Sequence, residues 1–208
     1  MKSFGVKSIF MVVFMVVMSF SMASAASNKA TKSLIAVLTK EVEANGDLTP
    51  KAKAFVSKNL IGEINNKVFI KSTESQNSKK VPLGQIQKID KQWIAAEEEM
   101  PLQKELQTNT CASEIKKLTK KHPAVLEAFV MDNQGAVVCE NTLTSDYWQG
   151  DEAKWKNSYK GGKGGLDVGK SSFDKSANAT IQQISLPVVD DKGKVIGAIT
   201  YGVVVDKL

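Results

Sequence analysis

The sequence contains no arginine, and all 28 of its basic residues are lysine. Arginine is the side chain that proteins favour for bidentate contacts to phosphate groups and to base edges. The lysines are also spread along the chain among acidic residues, a pattern typical of a solvated surface. Despite a net charge of +6, the composition therefore argues against a nucleic-acid-binding face.

Histidine and cysteine are scarce, which excludes several kinds of catalytic and metal site. His122 is the only histidine, so the sequence offers no Ser-His-Asp triad and no cluster of histidine metal ligands. Its position directly before Pro123 predicts the end of a helix. The two cysteines, Cys111 and Cys139, match no zinc or haem motif; they form a disulfide, or both stay reduced and buried. We expect no enzyme activity, no metal and no cofactor.

The N-terminus has the order of features of a secretory signal peptide. Lys2 and Lys7 precede an apolar run over residues 9–20, and the small residues of 23–25 follow it. This run is about a dozen residues long, whereas a membrane-spanning helix needs roughly 20. We predict cleavage after Ala25 and a mature domain that is periplasmic or secreted. The alternative, an uncleaved N-terminal anchor, would export the same domain.

The spacing of apolar residues changes midway along the chain. Before residue 121 it is helical, as at Leu34, Leu38 and Val42, although the polar stretch 72–80 predicts a loop. From Val125 onward, β-rich runs alternate with turn residues, which predicts antiparallel hairpins. The order indicates an α+β fold. We divide the chain into a signal peptide (1–25), an N-terminal helical segment (26–121) and a sheet domain (122–208).

Aromatic and charged side chains concentrate between residues 146 and 159, which makes this segment the candidate ligand site. Rings provide contact area, and nearby charges orient a polar ligand. Lys154 is the candidate partner of a ligand carboxylate, and Asp151 or Asp174 of a ligand amine. The candidate ligand-binding residues are Tyr147, Trp148, Asp151, Lys154, Trp155, Tyr159 and Asp174.

The alternative for the same segment is structural. Trp148 and Trp155 are seven positions apart, so they could lie on one face of a short helix and pack on the sheet as core. Asp146 could simply cap that helix. The sequence leaves both interpretations open.

Three strings in the second half resemble the Cache family of extracellular sensor domains, also called PDC domains, which are PAS-like in shape. FVMDNQGAVV at 129–138 is similar to the first hairpin of the family. TSDYWQGDEAKW at 144–155 is similar to the segment after that hairpin in small exported members. SLPV at 185–188, followed by GKVIGAI at 193–199, resembles the closing strands.

The resemblance implies an antiparallel sheet of about five strands, preceded by long helices, with ligands bound between the sheet and the segments that cross it. It implies a non-catalytic sensor domain that binds a small polar molecule such as a carboxylate or an amino acid. Lys154, Trp155, Tyr159 and Asp174 resemble the set used by amino-acid-sensing members, with lysine in place of the usual arginine.

Most members continue into a membrane helix and an output domain, and neither follows the last predicted strand here. The resemblance therefore leaves two expectations for how this chain works. It is a stand-alone ligand-binding protein, or it is a soluble partner or regulator of a separate membrane receptor or kinase.

Overall fold

The computed structural model describes residues 29–174 and 178–208. The predicted signal peptide lies outside these residues. Seven helices occur in them: α1 over 29–44, α2 (Pro50–Phe55), α3 (Lys67–Ser78), α4 (Leu83–Ile94), α5 (Pro101–Thr108), α6 (Thr110–Lys121) and α7 (Ala153–Tyr159). Helix α2 continues through a π-helical turn, Val56–Leu60, and a 3-10 turn, Ile61–Asn65. No helix among the described residues is long and apolar enough to cross a membrane.

Six antiparallel strands form one sheet in the second half of the described chain. They are β1 (Val125–Met131), β2 (Val137–Glu140), β3 (Asp167–Val168), β4 (Ser172–Asp174), β5 (Ala179–Val189) and β6 (Val195–Val204). The order across the sheet is β2-β1-β6-β5-β3, and β4 also pairs with β5. The predicted α+β order, helices first and an antiparallel sheet second, is confirmed.

Two hairpins of the sheet, β1–β2 and β5–β6, turn through an aspartate and a glycine. In the β1–β2 turn, the Asp132 carboxylate accepts hydrogen bonds from the backbone N–H groups of Gln134 and Ala136, at 2.8 and 3.0 Å. In the β5–β6 turn, Asp190 accepts two equivalent bonds, each 2.8 Å long. Each turn ends in a glycine with positive φ, Gly135 or Gly193, a conformation that other residues adopt at a cost.

One face of the sheet carries the main hydrophobic core. Inward-facing residues of the central strands, such as Ile184, Ile199 and Tyr201, are fully buried there against α1, α2, α3 and α6. Leu38 of α1 and Ile115 of α6 belong to the same cluster. The helical segment and the sheet therefore share one core. We call this side of the sheet the helix face.

The prediction of a loop over residues 72–80 is wrong, because most of that stretch belongs to α3. Two of the polar side chains that suggested a loop, Gln76 and Asn77, are partly buried and bond to strand carbonyls. Asn77 Nδ2 donates to the Ile196 carbonyl at 2.8 Å, and Gln76 Nε2 donates to the Val137 carbonyl at 3.1 Å. A helix is predicted from a stripe of apolar residues on one side. Here polar residues that bond to strand carbonyls occupy part of that side, so the apolar pattern is interrupted.

Cys111 and Cys139 form a disulfide between α6 and the edge strand β2, with a Cα–Cα distance of 5.7 Å. Both cysteines are buried in the core cluster of the helix face. The bridge therefore ties the outer strand of the sheet to the helix that covers it.

Candidate functional site

The opposite face of the sheet is covered by one short helix, α7, and we call it the α7 face. Phe129 of β1 lies opposite Thr200 of β6, and Thr200 lies opposite Ser185 of β5. The hydroxyl groups of Ser185 and Thr200 are 2.8 Å apart, and both residues are fully buried. This face therefore carries a row of polar groups beneath α7, whereas the helix face is apolar at the corresponding positions.

Two aromatic rings of α7 pack on this face. Trp155 and Tyr159 stack with their ring centroids 5.0 Å apart, and both contact a small cluster formed by Phe129, Met131 and Ala198. The indole Nε1 of Trp155 donates a hydrogen bond of 2.9 Å to the backbone carbonyl of Asp132. The stack and this bond fix α7 over the β1–β2 turn.

Lys154 is the cation nearest to the aromatic part of the α7 face. Its side chain is only 15% exposed, and its ammonium lies 5.3 Å from the centre of the Phe129 ring. Glu152, which is 38% exposed, pairs with the ammonium at 3.0 Å. A cation over an aromatic ring is favourable, and partial burial strengthens the interaction. The Lys154 ammonium therefore lies against the sheet, and its carboxylate partner, Glu152, is accessible to solvent.

A cavity of about 300 Å³ opens on the same side of the sheet. Its lining includes Glu127 of β1, Gln183 and Ile181 of β5, Ser172 and Asp174 of β4, and the turn residues Gly169 and Lys170. Gln183 Nε2 donates to Glu127 Oε1 at 3.2 Å. A Cβ on Gly202 would lie 2.4 Å from Glu127 Cγ, so glycine is what allows the glutamate to lie across β6.

The sequence-predicted residues divide between these places. Lys154, Trp155 and Tyr159 lie together on α7, and Asp174 lines the cavity at the far strands. Asp151 is exposed just before α7. Tyr159 also lines a separate cavity of about 370 Å³ at the hairpin turns.

Tyr147 and Trp148 lie in a different cluster, against α4. Tyr147 is 7% exposed, and its ring packs 5.7 Å from the Trp93 ring. Burial, with a smaller effect of the Asp132 charge, raises the pKa of Tyr147 to about 12. The backbone N–H groups of Tyr147 and Trp148 both donate to Asp90 Oδ1, at 2.9 and 2.8 Å. These two residues anchor the segment that leads into α7 and lie apart from the Lys154 ring contact.

Sequence reasoning missed Phe129, Glu127 and Gln183, which contribute the floor of the α7 face. The alternation along β1 and β5 could have found them, because residues two apart on a strand share one face. Glu152 was also missed, although it lies two residues from Lys154.

Two buried carboxyl groups lie next to this site. Burial raises the pKa of Glu140, although Thr144 donates two hydrogen bonds to its Oε2. Burial likewise raises the pKa of Asp132, although the hydrogen bonds that its carboxylate accepts from N–H groups of the turn act to lower it. Within residues 29–174 and 178–208, no group of three or more His, Cys, Asp or Glu side chains is arranged to hold a metal ion.

No protein-family model matches the sequence, and none of the curated proteins is significantly similar to it. Among solved structures, the chain is similar to the ligand-binding domain of the Campylobacter jejuni chemoreceptor Tlp3 in complex with 4-methylisoleucine, with 15% identity and a TM-score of 0.38. It is also similar to the sensor domain of the V. cholerae histidine kinase DctB, with 10% identity and a TM-score of 0.41. A third is the ligand-binding domain of the Pseudomonas aeruginosa amino acid chemoreceptor PctC in complex with GABA, with 13% identity and a TM-score of 0.35.

The match covers 86%, 88% and 72% of this chain, and 60%, 57% and 62% of the three domains, respectively. The chain thus spans about three fifths of the length of these structures. All three are sensor or ligand-binding domains. Because the superpositions are loose, no ligand or site residue is transferred from them.

Proposed function

We propose that this protein binds a small polar metabolite reversibly on the α7 face of its sheet and does not transform it. The proposal includes the location expected from the N-terminal residues, which is periplasmic or secreted. The resemblance to Cache domains supports it, and so does the arrangement of charged and aromatic groups around α7.

The observation that carries the proposal is the environment of Lys154. An ammonium that is 15% exposed, set over the Phe129 ring, is a prepared site for a carboxylate. Its present partner, Glu152, is a neighbour on the chain and is partly exposed. A ligand carboxylate could therefore replace Glu152 without leaving a buried charge unpaired, which would otherwise cost several kcal/mol.

The other end of the ligand would lie towards the cavity. Glu127 and Asp174 line it, and both are acidic. A carboxylate bound at Lys154 and an amine bound near these acids would orient an amino acid across the polar floor at Thr200 and Ser185. Carboxylates and amino acids are therefore the ligands to test first.

The residues present favour binding over catalysis. His122, the only histidine, ends α6 and contacts Phe55, and burial together with the nearby Lys121 charge lowers its pKa. It is not among the residues that line the 300 Å³ cavity on the α7 face of the sheet. General acid–base chemistry needs a titratable group within hydrogen-bond reach of the substrate.

A thermal-shift screen of carboxylates and amino acids tests the proposal. A ligand at 100 times its Kd stabilises a protein by about 2.7 kcal/mol, or roughly 5–10 °C for a domain of this size. With a ligand in hand, Lys154→Met should weaken binding by about 2 kcal/mol, or roughly thirtyfold.

Lys156→Met is the matched control, because Lys156 is exposed on the same helix and its loss changes the charge equally. It should leave the affinity within about threefold of the parent, since an exposed charge contributes little. If no compound shifts the melting curve, or if Lys154→Met binds as well as the parent, the proposal is wrong.

A second candidate function is a protein-interaction role, as a soluble partner of a membrane receptor or kinase. Leu83 and Ile94 are 43% and 62% exposed, and they are eleven residues apart on α4, so they lie on one side of that helix. If this side of α4 docks on a partner, both side chains would be buried in the contact. A receptor or kinase gene beside the gene for this protein would favour this role; a transporter or catabolic operon would favour metabolite binding alone.

A further inference from the structure

A third cavity, of about 530 Å³, lies between α3, α5 and α6. Its lining contains no residue of α7 and shares none with the 300 Å³ cavity on the α7 face. Small-molecule sites in proteins commonly enclose roughly 300–1,000 Å³, so this cavity is of ligand size. The function proposed above does not use it.

One wall of this cavity is a stripe of lysines on α3. Lys67, Lys71, Ser75 and Lys79 are spaced by four residues, so they fall on one side of the helix, and all four line the cavity. Lys67 pairs with Asp191 across an exposed contact. Among the described residues, neither Lys71 nor Lys79 pairs with a carboxylate.

Positive charge therefore accumulates along this wall, because Lys67 alone of its three lysines pairs with a carboxylate among the described residues. Like charges four residues apart on a helix destabilise it, and Lys67 and Lys71 are such a pair. Glu105 is the one acidic side chain in the lining, against three lysines. An anion in the cavity would relieve the repulsion, and these lysines would bind it by charge-assisted hydrogen bonds.

The facing wall complements the lysines. Asn109 and Thr110 lie at the start of α6, where the helix dipole adds positive potential. Between the walls, Val68, Leu106 and Val138 provide an apolar floor. Such a site fits a short carbon skeleton with acidic groups at more than one end.

We propose that this cavity is a second binding site, for a small organic anion that carries two or more carboxylate or phosphate groups. Lys71 and Lys79 bind its acidic groups, and Leu106 and Val138 contact its carbon skeleton. The site is independent of Lys154, so a failure of the α7-face proposal does not affect it.

Isothermal titration calorimetry with citrate and, separately, with inorganic pyrophosphate tests the proposal at constant ionic strength. The two probes distinguish a carboxylate site from a phosphate site. The test variant is Lys71→Gln/Lys79→Gln, and the control is Lys88→Gln/Lys91→Gln on α4, which removes the same charge from exposed positions outside the cavity. Matching melting curves would show that both variants fold.

We expect saturable binding of at least one probe, weakened about tenfold or more in the test variant and unchanged in the control. The methyl NMR signals of Leu106 and Val138 should shift on titration, because these side chains line the cavity. Equal weakening in both variants would mean diffuse charge attraction and would overturn the proposal. So would binding that survives in the test variant, or the absence of saturable binding of both probes up to about 10 mM, a concentration at which even millimolar affinity is detected.

Discussion

Replacing Trp155 with alanine should remove the contacts that hold α7 on the sheet. The indole bond to the Asp132 carbonyl is worth about 0.5–1.5 kcal/mol. The stack on Tyr159 adds about 0.5–1.5 kcal/mol, and the apolar contact with Phe129, Met131 and Ala198 adds more. Truncating a fully buried tryptophan costs about 3–5 kcal/mol, and Trp155 is half-buried, so we expect about 3 kcal/mol.

Trp155→Phe separates these contributions. Phenylalanine keeps a ring against Tyr159 but loses the N–H donor and part of the apolar contact, so its cost should be at least about 1 kcal/mol and below that of alanine. Urea unfolding followed by circular dichroism measures both variants. A loss of about 3 kcal/mol corresponds to a decrease in Tm of roughly 6–12 °C in a domain of this size, and a loss of 1 kcal/mol to about 2–4 °C.

The comparison with Lys154→Met tests whether packing and ligand binding are carried by different residues. Exposed ion pairs contribute up to about 1 kcal/mol, and the Lys154 pair with Glu152 is partly buried, so its loss should cost about 1 kcal/mol, at the upper end of that range and well below the cost of Trp155→Ala. If Trp155→Ala lowered Tm by less than about 2 °C, the ring would be a surface feature, and the reasoning that places α7 as a fixed cover would be refuted.

Three further predictions concern the groups around the site. Asp90→Ala should destabilise the protein by about 2–3 kcal/mol in urea unfolding, because the Asp90 carboxylate accepts hydrogen bonds from two backbone N–H groups. Asp90→Asn should cost less, because asparagine keeps an acceptor oxygen. Equal costs for the two variants would contradict this role. Because burial raises the pKa of Glu140, the free energy of unfolding of the parent should fall as pH rises from 4.5, the ordinary pKa, to the pKa in the folded protein. Across that window Glu140→Gln should become more stable relative to the parent, and above it the difference should stay constant. Parallel curves of unfolding free energy against pH would refute the assignment. Replacing both Cys111 and Cys139 with serine should cost about 3–4 kcal/mol, as expected for a closed loop of 28 residues, and a reduced parent that melts like the oxidised one would argue against the bridge.

The sequence predicted the parts of the fold that depend on local patterns. Apolar residues at helical spacing marked α1, and the Asp-x-x-Gly turn marked the β1–β2 hairpin, because both signals need only neighbouring residues. The stretch 72–80 failed for the opposite reason. Gln76 and Asn77 are satisfied by carbonyls of strands about 60 and 120 residues away, and no local pattern reports such partners.

The candidate site was predicted only in part, for a similar reason. Trp155 and Lys154 do lie on the sheet, but Tyr147 and Trp148, which are close to them in sequence, pack against α4. An aromatic cluster in sequence cannot distinguish a ring that faces a ligand from a ring that fills a core. The residues that make the floor, such as Phe129 and Glu127, come from a strand whose pairing is set by β6.

The two faces of the sheet differ in how much free energy would be needed to uncover them. On the helix face, several helices bury a continuous apolar core, and the disulfide holds the edge strand in place. On the α7 face, the cover is a helix of seven residues, anchored by the Trp155 ring and one indole bond over a row that includes polar groups. Local opening free energies range from near zero up to the global unfolding free energy, and segments with fewer apolar contacts lie lower in that range. Although the Trp155 contacts hold α7 by about 3 kcal/mol, α7 should therefore open at a lower cost than the core of the helix face. Such opening would expose Lys154 and the polar floor while that core stays intact, as the proposed reversible binding requires.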